Sequence, residues 1–530
     1  MKKMLLFVAA LLTASTSFAQ GDLENPTWTK TITNAVTEAS DVEINSPIVI
    51  TNQGDVIKTG TFTESFSFAG ETFEPIAKSS YIVKYDRKGN EVWVNALRGA
   101  ATVTAITADA EGNIYVAGKF ADKVLITTTN GNVFDIDGME ENNKQVSAFI
   151  VVYDKDGKLL ARRQFVPELD PALEETFMYF PEDGDVYFRI NNIKVANGKV
   201  YITANYTGVN KIDEVVLEGR VLNVWDVMFM DINSAAALSF DKDLSEAQLI
   251  ADVHTTDAIA EMQMGLHDIN LAVDGDHVFV AWTGLGNLTM TTEKETQDFT
   301  FEYGSHPFVV ANVTTGQTKA FEASVVDTDA SFYTVAGMMV ADKKLYIGGT
   351  YIGELPFNNS LTSTGACDAF LTALNTSDLS VVWAQNSGID EGEANKFNEM
   401  VTMMGKGIEP EGSVVSVLID VVDMNTKEIQ ETYEFDYDEA YNEPDVYVLP
   451  LEYPISACSF SIAGFVINSN VGTESTLRYF ADEDFTQGIE NIENGTLNIE
   501  NGAIFNLQGQ RVGKAQKGVY IQNGKKVVLK

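Results

Sequence analysis

Four histidines, His254, His267, His277 and His306, are the side chains best suited to hold a metal or move a proton, and all fall in the middle of the chain. Imidazole does either job when folding brings it beside a carboxylate or a second imidazole. No His-x-His or His-Glu-x-x-His spacing is present, so the pattern reads as loop or surface histidines. Three acidic turns come next: Asp135-Ile136-Asp137-Gly138, Asp154-Lys155-Asp156-Gly157 and Glu182-Asp183-Gly184-Asp185. Each offers oxygens close to a glycine, as calcium loops do, but none continues to the bidentate Glu of such a loop. Hairpin turns select the same residues, and calcium is the one cofactor left open. Nucleophile elbows, phosphate loops and dinucleotide fingerprints are absent. With 76 acidic residues, some carboxylate pair always looks suitable for glycoside chemistry, so no catalytic residue is assigned.

Aromatic side chains give the best candidates for contact. The two longest insertions between repeats are 165–189, with Phe177, Tyr179 and Phe180, and 433–453, with Tyr433, Tyr437 and Tyr441 among acids. Loops on a rigid scaffold carry recognition, and exposed rings stack on sugars or pack on proteins. These six residues form the expected binding surface, a core or edge-covering role being the alternative.

The elements that must position them are written as repeats. One phrase is an apolar strand followed by an Asp-x-x-Gly turn, clearest at Tyr81-Ile82-Val83-Lys84-Tyr85-Asp86-Arg87-Lys88-Gly89 and Phe149-Ile150-Val151-Val152-Tyr153-Asp154-Lys155-Asp156-Gly157. Weaker copies start near Leu238, Phe308, Phe370 and Phe460, at intervals of 68, 89, 70, 62 and 90 residues. A second phrase, best at Gly112-Asn113-Ile114-Tyr115-Val116-Ala117-Gly118, precedes each copy of the first, the last of them beginning at Gly412. A loose period of this size means one sheet per repeat. Six alternations predict an all-β, six-bladed propeller of four-stranded antiparallel blades, five to seven blades being compatible with the period.

The order Gly-Asn-x-Tyr-Val-x-Gly, then Phe-x-x-x-Tyr-Asp-x-x-Gly, then a Trp strand resembles the β-propeller repeat of secreted bacterial proteins. Trp93 and Trp383 stand in such last strands, and Trp28 stands in another that no unit precedes. An orphan last strand at the start predicts that strand 27–31 pairs with a strand between 412 and 480 and closes the ring.

The ends differ from the middle. Lys2 and Lys3, an apolar stretch at 4–12 and Ser17-Phe18-Ala19 predict a signal peptide over 1–19, cleaved before Gln20. The stretch is too short to span about 30 Å of bilayer, so no membrane insertion is expected. The propeller is then 20–487. From 488 a low-complexity run leads to Ile504-Phe505-Asn506-Leu507-Gln508-Gly509-Gln510-Arg511-Val512, Lys517-Gly518-Val519-Tyr520-Ile521 and Gly524-Lys525-Lys526-Val527-Val528-Leu529-Lys530. In this order at the chain end, they resemble the C-terminal sorting domain of type IX secretion cargo, with its early strands missing or replaced. The resemblance implies a small β module over 488–530 and a destination at the cell surface or outside the cell, with the periplasm as the alternative.

The net charge is −40, while the tail carries six basic and three acidic residues, so the propeller holds the negative charge. A field of that sign repels nucleic acid and anionic lipid. Cys367 and Cys458 share a phase in neighbouring repeats, which predicts separation beyond disulfide reach and two free thiols. The expected function is non-catalytic binding or scaffolding of a protein or glycan. The alternative is an enzyme cutting polysaccharide or peptide at the axis, and it calls for acids and histidines at the axial mouth. Neither the ligand nor an oligomeric state is written in any motif.

Overall fold

The computed structural model describes residues 25–38, 46–129, 131–137, 145–168, 186–224, 228–232, 234–255, 269–284, 286–301, 307–322, 332–341, 343–364, 368–388, 401–411, 414–423, 428–449, 455–461, 463–481, 504–505, 518–522 and 525–529. They are all strand, turn and coil, without a helix. β1 (Trp28–Thr33) belongs to a sheet whose other strands come from the far end of the ring. The first meander is β2 (Ile48–Ile50), β3 (Val56–Phe62), the hairpin β4 (Phe66–Phe68) with β5 (Glu71–Phe73), β6 (Ser79–Tyr85) and the first half of β7 (Glu91–Ala108). The second half of β7 opens unit two, followed by β8 (Ile114–Thr127), β9 (Val133–Asp137), β10 (Gln145–Tyr153) and β11 (Leu159–Phe165). Unit three is β12 (Val186–Ala196), β13 (Lys199–Tyr206), the hairpins β14 (Val209–Ile212) with β15 (Val215–Glu218) and β16 (Arg220–Val224) with β17 (Met228–Ile232), then β18 (Ser234–Asp241) and β19 (Gln248–Thr255).

Unit four is β20 (Ile269–Asp274), β21 (His277–Thr283), the hairpin β22 (Leu288–Thr291) with β23 (Thr296–Phe299), β24 (Pro307–Asn312) and β25 (Gln317–Glu322). Unit five is β26 (Phe332–Ala341), β27 (Lys344–Ile352), the hairpin β28 (Glu354–Leu355) with β29 (Asn358–Thr362), β30 (Asp368–Asn375) and β31 (Val381–Asn386). Unit six is β32 (Val401–Glu411), β33 (Val414–Asp423), β34 (Glu428–Asp438) and β35 (Glu443–Leu449). Unit seven is β36 (Ala457–Ser461), β37 (Gly464–Val471) and β38 (Glu474–Ala481), completed by β1, whose Trp28 stands opposite Tyr479 and Thr33 opposite Glu474. The closure expected from the orphan Trp strand is therefore present. In the tail, β39 (Ile504–Phe505), β40 (Gly518–Gln522) and β41 (Lys525–Leu529) form one small sheet.

Among the described residues the pairing gives seven four-stranded antiparallel units, where phrase counting expects six and allows five to seven. The difference lies in the 90-residue interval before Phe460. The phrase at Gly412 belongs to unit six, whose own third strand is the acidic β34, whereas Phe460 lies in β36 of unit seven. The equally long interval after Phe149 has another cause, the two hairpins inserted in unit three.

The middle strands β3 and β6 are packed on both faces and buried along their whole length, while the outermost β11 alternates. The hydrophobic effect does its work between units. Ile48, Val56, Tyr81 and Val83 of unit one pack with Val466, Leu477 and Tyr479 of unit seven. Equivalent cores fill the seams between units one and two, two and three, three and four, and four and five.

The repeated phrase has a physical explanation. Asp86 Oδ1 accepts from the backbone N–H of Lys88 and Asn90 at 2.9 and 2.8 Å, and Asp154 does the same for Asp156 and Lys158. Where an outermost strand carries a Trp, in β1, β7 and β31, the ring docks on the turn of the next unit. Trp28 Nε1 donates to Arg87 O at 3.1 Å, Trp93 Nε1 to Lys155 O at 3.1 Å and Trp383 Nε1 to Glu439 Oε1 at 2.6 Å. Gly157 serves twice: its φ of +80° suits glycine, and a Cβ there would meet the Trp93 ring at 2.9 Å.

Inserted hairpins finish the sheet edges. Each lies between the second and third strands of its unit, and several fold over the outermost strand of the unit before. β22 pairs with β19, and the end of β8, continued by β9, pairs with the first half of β7. Asp213, between β14 and β15, holds Arg163 of β11, and Phe357 between β28 and β29 packs 4.8 Å from Phe321 of β25. Phe66, Phe68 and Phe73 of β4 and β5 cover the seam behind β1. Covered edges do not template association with other chains.

Candidate functional site

The structure redistributes the expected contact aromatics. Phe177, Tyr179 and Phe180 lie outside the described residues. The segment around Tyr433 is not a loop insertion: residues 433–449 belong to the long strands β34 and β35 and the turn between them. Tyr433 stands opposite Ile419 of β33. Tyr437 is buried, its ring centroid 4.2 Å from that of Trp383 and its hydroxyl donating to Asn442 Oδ1 at 2.6 Å. It is a core residue and is withdrawn from the contact surface. Phe435 and Tyr437 are two residues apart, the spacing that puts both on one face of β34. Tyr441, in the turn, is 75% exposed and keeps a surface position.

His267 and His306 also lie outside the described residues, and His277 is exposed at the start of β21. His254 is the centre of a network that the histidine spacing did not reveal. His254 Nε2 lies 3.0 Å from Asp252 Oδ2, His254 Nδ1 lies 2.9 Å from Ser234 Oγ, and Tyr206 donates to Asp252 Oδ1 at 2.6 Å. The signal available was Asp252-Val253-His254, since residues two apart share a strand face. Serine, imidazole and carboxylate in line is a nucleophile-activating order. Here Ser234 is 1% exposed, so its hydroxyl is not presented to a substrate. The network ties the ends of β13, β18 and β19 together.

The acidic turns are similarly committed. Asp154 caps its own turn, and Asp135 pairs with Lys123 at 2.7 Å. Residues 182–185 are outside the described set. Among the described residues no three His, Cys, Asp or Glu side chains converge as metal ligands. Cys458 stands opposite Ile467 on β36, half-buried; Cys367 lies outside the described residues, and with it the expectation about that pair.

Among the described residues, amides, a hydroxyl and an ammonium meet between the first strands of units two to five. First strands of successive units lie against one another, β7 beside β12 and β20 beside β26. Thr104 of β7 donates to Ile190 O at 2.6 Å, and Asn192 of β12 donates to Asn270 Oδ1 of β20 at 3.1 Å. Lys194 of β12 donates to Leu271 O in unit four at 2.6 Å and Met338 O in unit five at 2.9 Å. A side chain touching three units must lie near the axis. Lys194 is partly accessible yet surrounded by protein, and that desolvation lowers its pKa from 10.5 to about 8.

Four-stranded antiparallel units whose first strands meet along one axis, closed by a strand from the other end of the chain, define an all-β propeller. No family model matches the chain. A WD repeat-containing protein of Acanthamoeba polyphaga mimivirus is 34% identical over 88 residues, 16% of this chain and 6% of that protein. The chain thus matches a small fraction of that relative's length. Among solved structures, a streptogramin B lyase is 9% identical with a TM-score of 0.32, covering 85% of this chain and 97% of that one. The NanB sialidase of Streptococcus pneumoniae is 10% identical with a TM-score of 0.31, covering 89% and 73%. No residue role is carried across from them. No helix among the described residues is long and apolar enough to cross a membrane.

Proposed function

We propose that the protein is an exported β-propeller that binds a protein or glycan without converting it, at the cell surface or outside the cell. The observation that supports this is the central run of Asn192, Lys194 and Asn270, amide and ammonium groups of the kind that hydrogen-bond a ligand. The strongest acid–base assembly described, Asp252 with His254, is held inside unit three by Tyr206 and Ser234.

The test is binding of the mature protein to glycan and peptide arrays, compared with Lys194→Met and Asn270→Ala variants of unchanged circular dichroism. Retention by the parent, loss in the variants and recovery of the ligand intact is the expected result. Release of a cleaved product would replace this reading with the enzymatic one, an axial site acting on polysaccharide or peptide. Calcium is tested alongside by repeating the array in chelator.

A further inference from the structure

Four buried hydrogen-bond donors face one seam, and none has an acceptor. Phe188, Ile190 and Ile193 of β12, with Val200, Ile202, Ala204 and Tyr206 of β13, pack toward unit two. Strand alternation, with the bulge after Ile190, therefore turns Arg189, Asn192 and Lys194, and Tyr201, Thr203 and Asn205, toward unit four. Tyr201 packs there with Ile269, Leu271 and Trp282, as this requires. On that face Arg189 Nε, Thr203 Oγ1, Asn205 Nδ2 and Trp282 Nε1 are buried and unpaired. Thr203 and Trp282 are 0% exposed and Asn205 8%.

Arg189, Asn205 and Thr203 are neighbours by register, and Trp282 comes from the facing unit into the core it shares with Tyr201, Ala235 and Ala237. Arg189 stands opposite Asn205, Asn192 opposite Thr203, and Trp282 opposite Ile269 on the facing unit. Ala235 and Ala237 lie beside Asn205 and Thr203 on β18 and add little bulk. Leaving one buried donor unmet costs about as much as a lost hydrogen bond, and native proteins rarely leave several together. Three of these groups can only donate, so the complementary partner is one that only accepts. A carboxylate is such a group, and its charge is matched by Arg189 and by Lys194, an ammonium that uses two of its three protons on carbonyls.

We propose that the seam between units three and four, beside the axis, binds a carboxylate carried by the protein's ligand. This rests on the proposed binding function and gives its ligand a chemistry: an acidic sugar or the carboxylate of a peptide. In a chain of net charge −40 such a site is a local inversion of sign.

The experiment is a titration of the mature full-length protein with acetate at constant ionic strength, reading the indole N–H resonance assigned by its loss in Trp282→Phe. A saturable shift with acetate and none with chloride is expected, with affinity at least tenfold weaker in Thr203→Val and Arg189→Gln. Asn205→Asp, which places a carboxylate among the donors, should abolish the acetate response and raise the melting temperature. Galacturonate and N-acetylglycine then separate the sugar from the peptide source. No indole response to any carboxylate, an equal response to chloride, or an undiminished response in Thr203→Val would overturn the site. An acetate response with nothing retained on the arrays would keep the site and remove the binding reading. Array retention without an indole response would do the reverse.

Discussion

Two buried lysines on adjacent strands show how a partner divides residues of one type. Lys84 is buried but paired, its ammonium 2.6 Å from Asp55 and donating to Lys155 O at 2.9 Å. Lys58 on β3 is 0% exposed with no partner for Nζ, and desolvation lowers its pKa from 10.5 to about 7. Above pH 10.5 the amine is neutral in both folded and unfolded chains. As pH falls from 10.5 to 7 the unfolded chain takes up a proton that the folded one refuses, so stability is lost across that window and is constant below it. Lys58→Met should therefore be more stable than the parent near neutrality, by an amount of order 4 kcal/mol at most that shrinks toward pH 10.5. Urea denaturation of both proteins across that range measures it. The state of Lys58 could not be read in sequence, because Val-Ile-Lys-Thr-Gly looks like a strand with one wet face, and its second packed face comes from unit seven, some 400 residues away. The Trp docking is a residue-scale device as well. Trp93→Phe should cost about 1 kcal/mol for the lost bond to Lys155 O and Trp93→Ala about 3–5 kcal/mol, again by urea denaturation.

At the scale of elements, the Asp-x-x-Gly phrase was legible because its geometry is local: a carboxylate capping its own turn needs no distant partner. The hairpins were not, because β22 and β23 look like ordinary strands until their partner in the unit before is known. Unit six was hidden for a related reason. Its β34 replaces the Gly-ended turn by Asp438, Glu439 and Asn442, and Glu439 meets Trp383 with a carboxylate where other units use a backbone carbonyl. Replacing 286–301 by a short Gly-Ser link should leave the propeller folded but bare the edge of β19 (Gln248–Thr255). Concentration-dependent association, followed by sedimentation, is the expected outcome. A monomer at all concentrations would mean that the hairpin has no protective role.

For the whole molecule, the ring and the tail share no strand pairing among the described residues: β39, β40 and β41 pair only with one another. Removing 488–530 should leave the melting transition of the propeller unchanged by calorimetry while altering where the protein accumulates in cell fractions. Unaltered accumulation would make the tail's likeness to sorting domains structural only. Closure, by contrast, joins the two ends of the propeller: Thr31 and Thr476 share a hydrogen bond across 445 residues. That contact has a consequence in time. β1 is the first of the ring's strands to be made, yet its partner β38 is the last, so it must wait unpaired through the synthesis of everything between. Six units can assemble in order behind it, each using the one before as a template. The seventh cannot, and the moment the ring closes is fixed by the arrival of its final strand, whatever the stability of the units already formed.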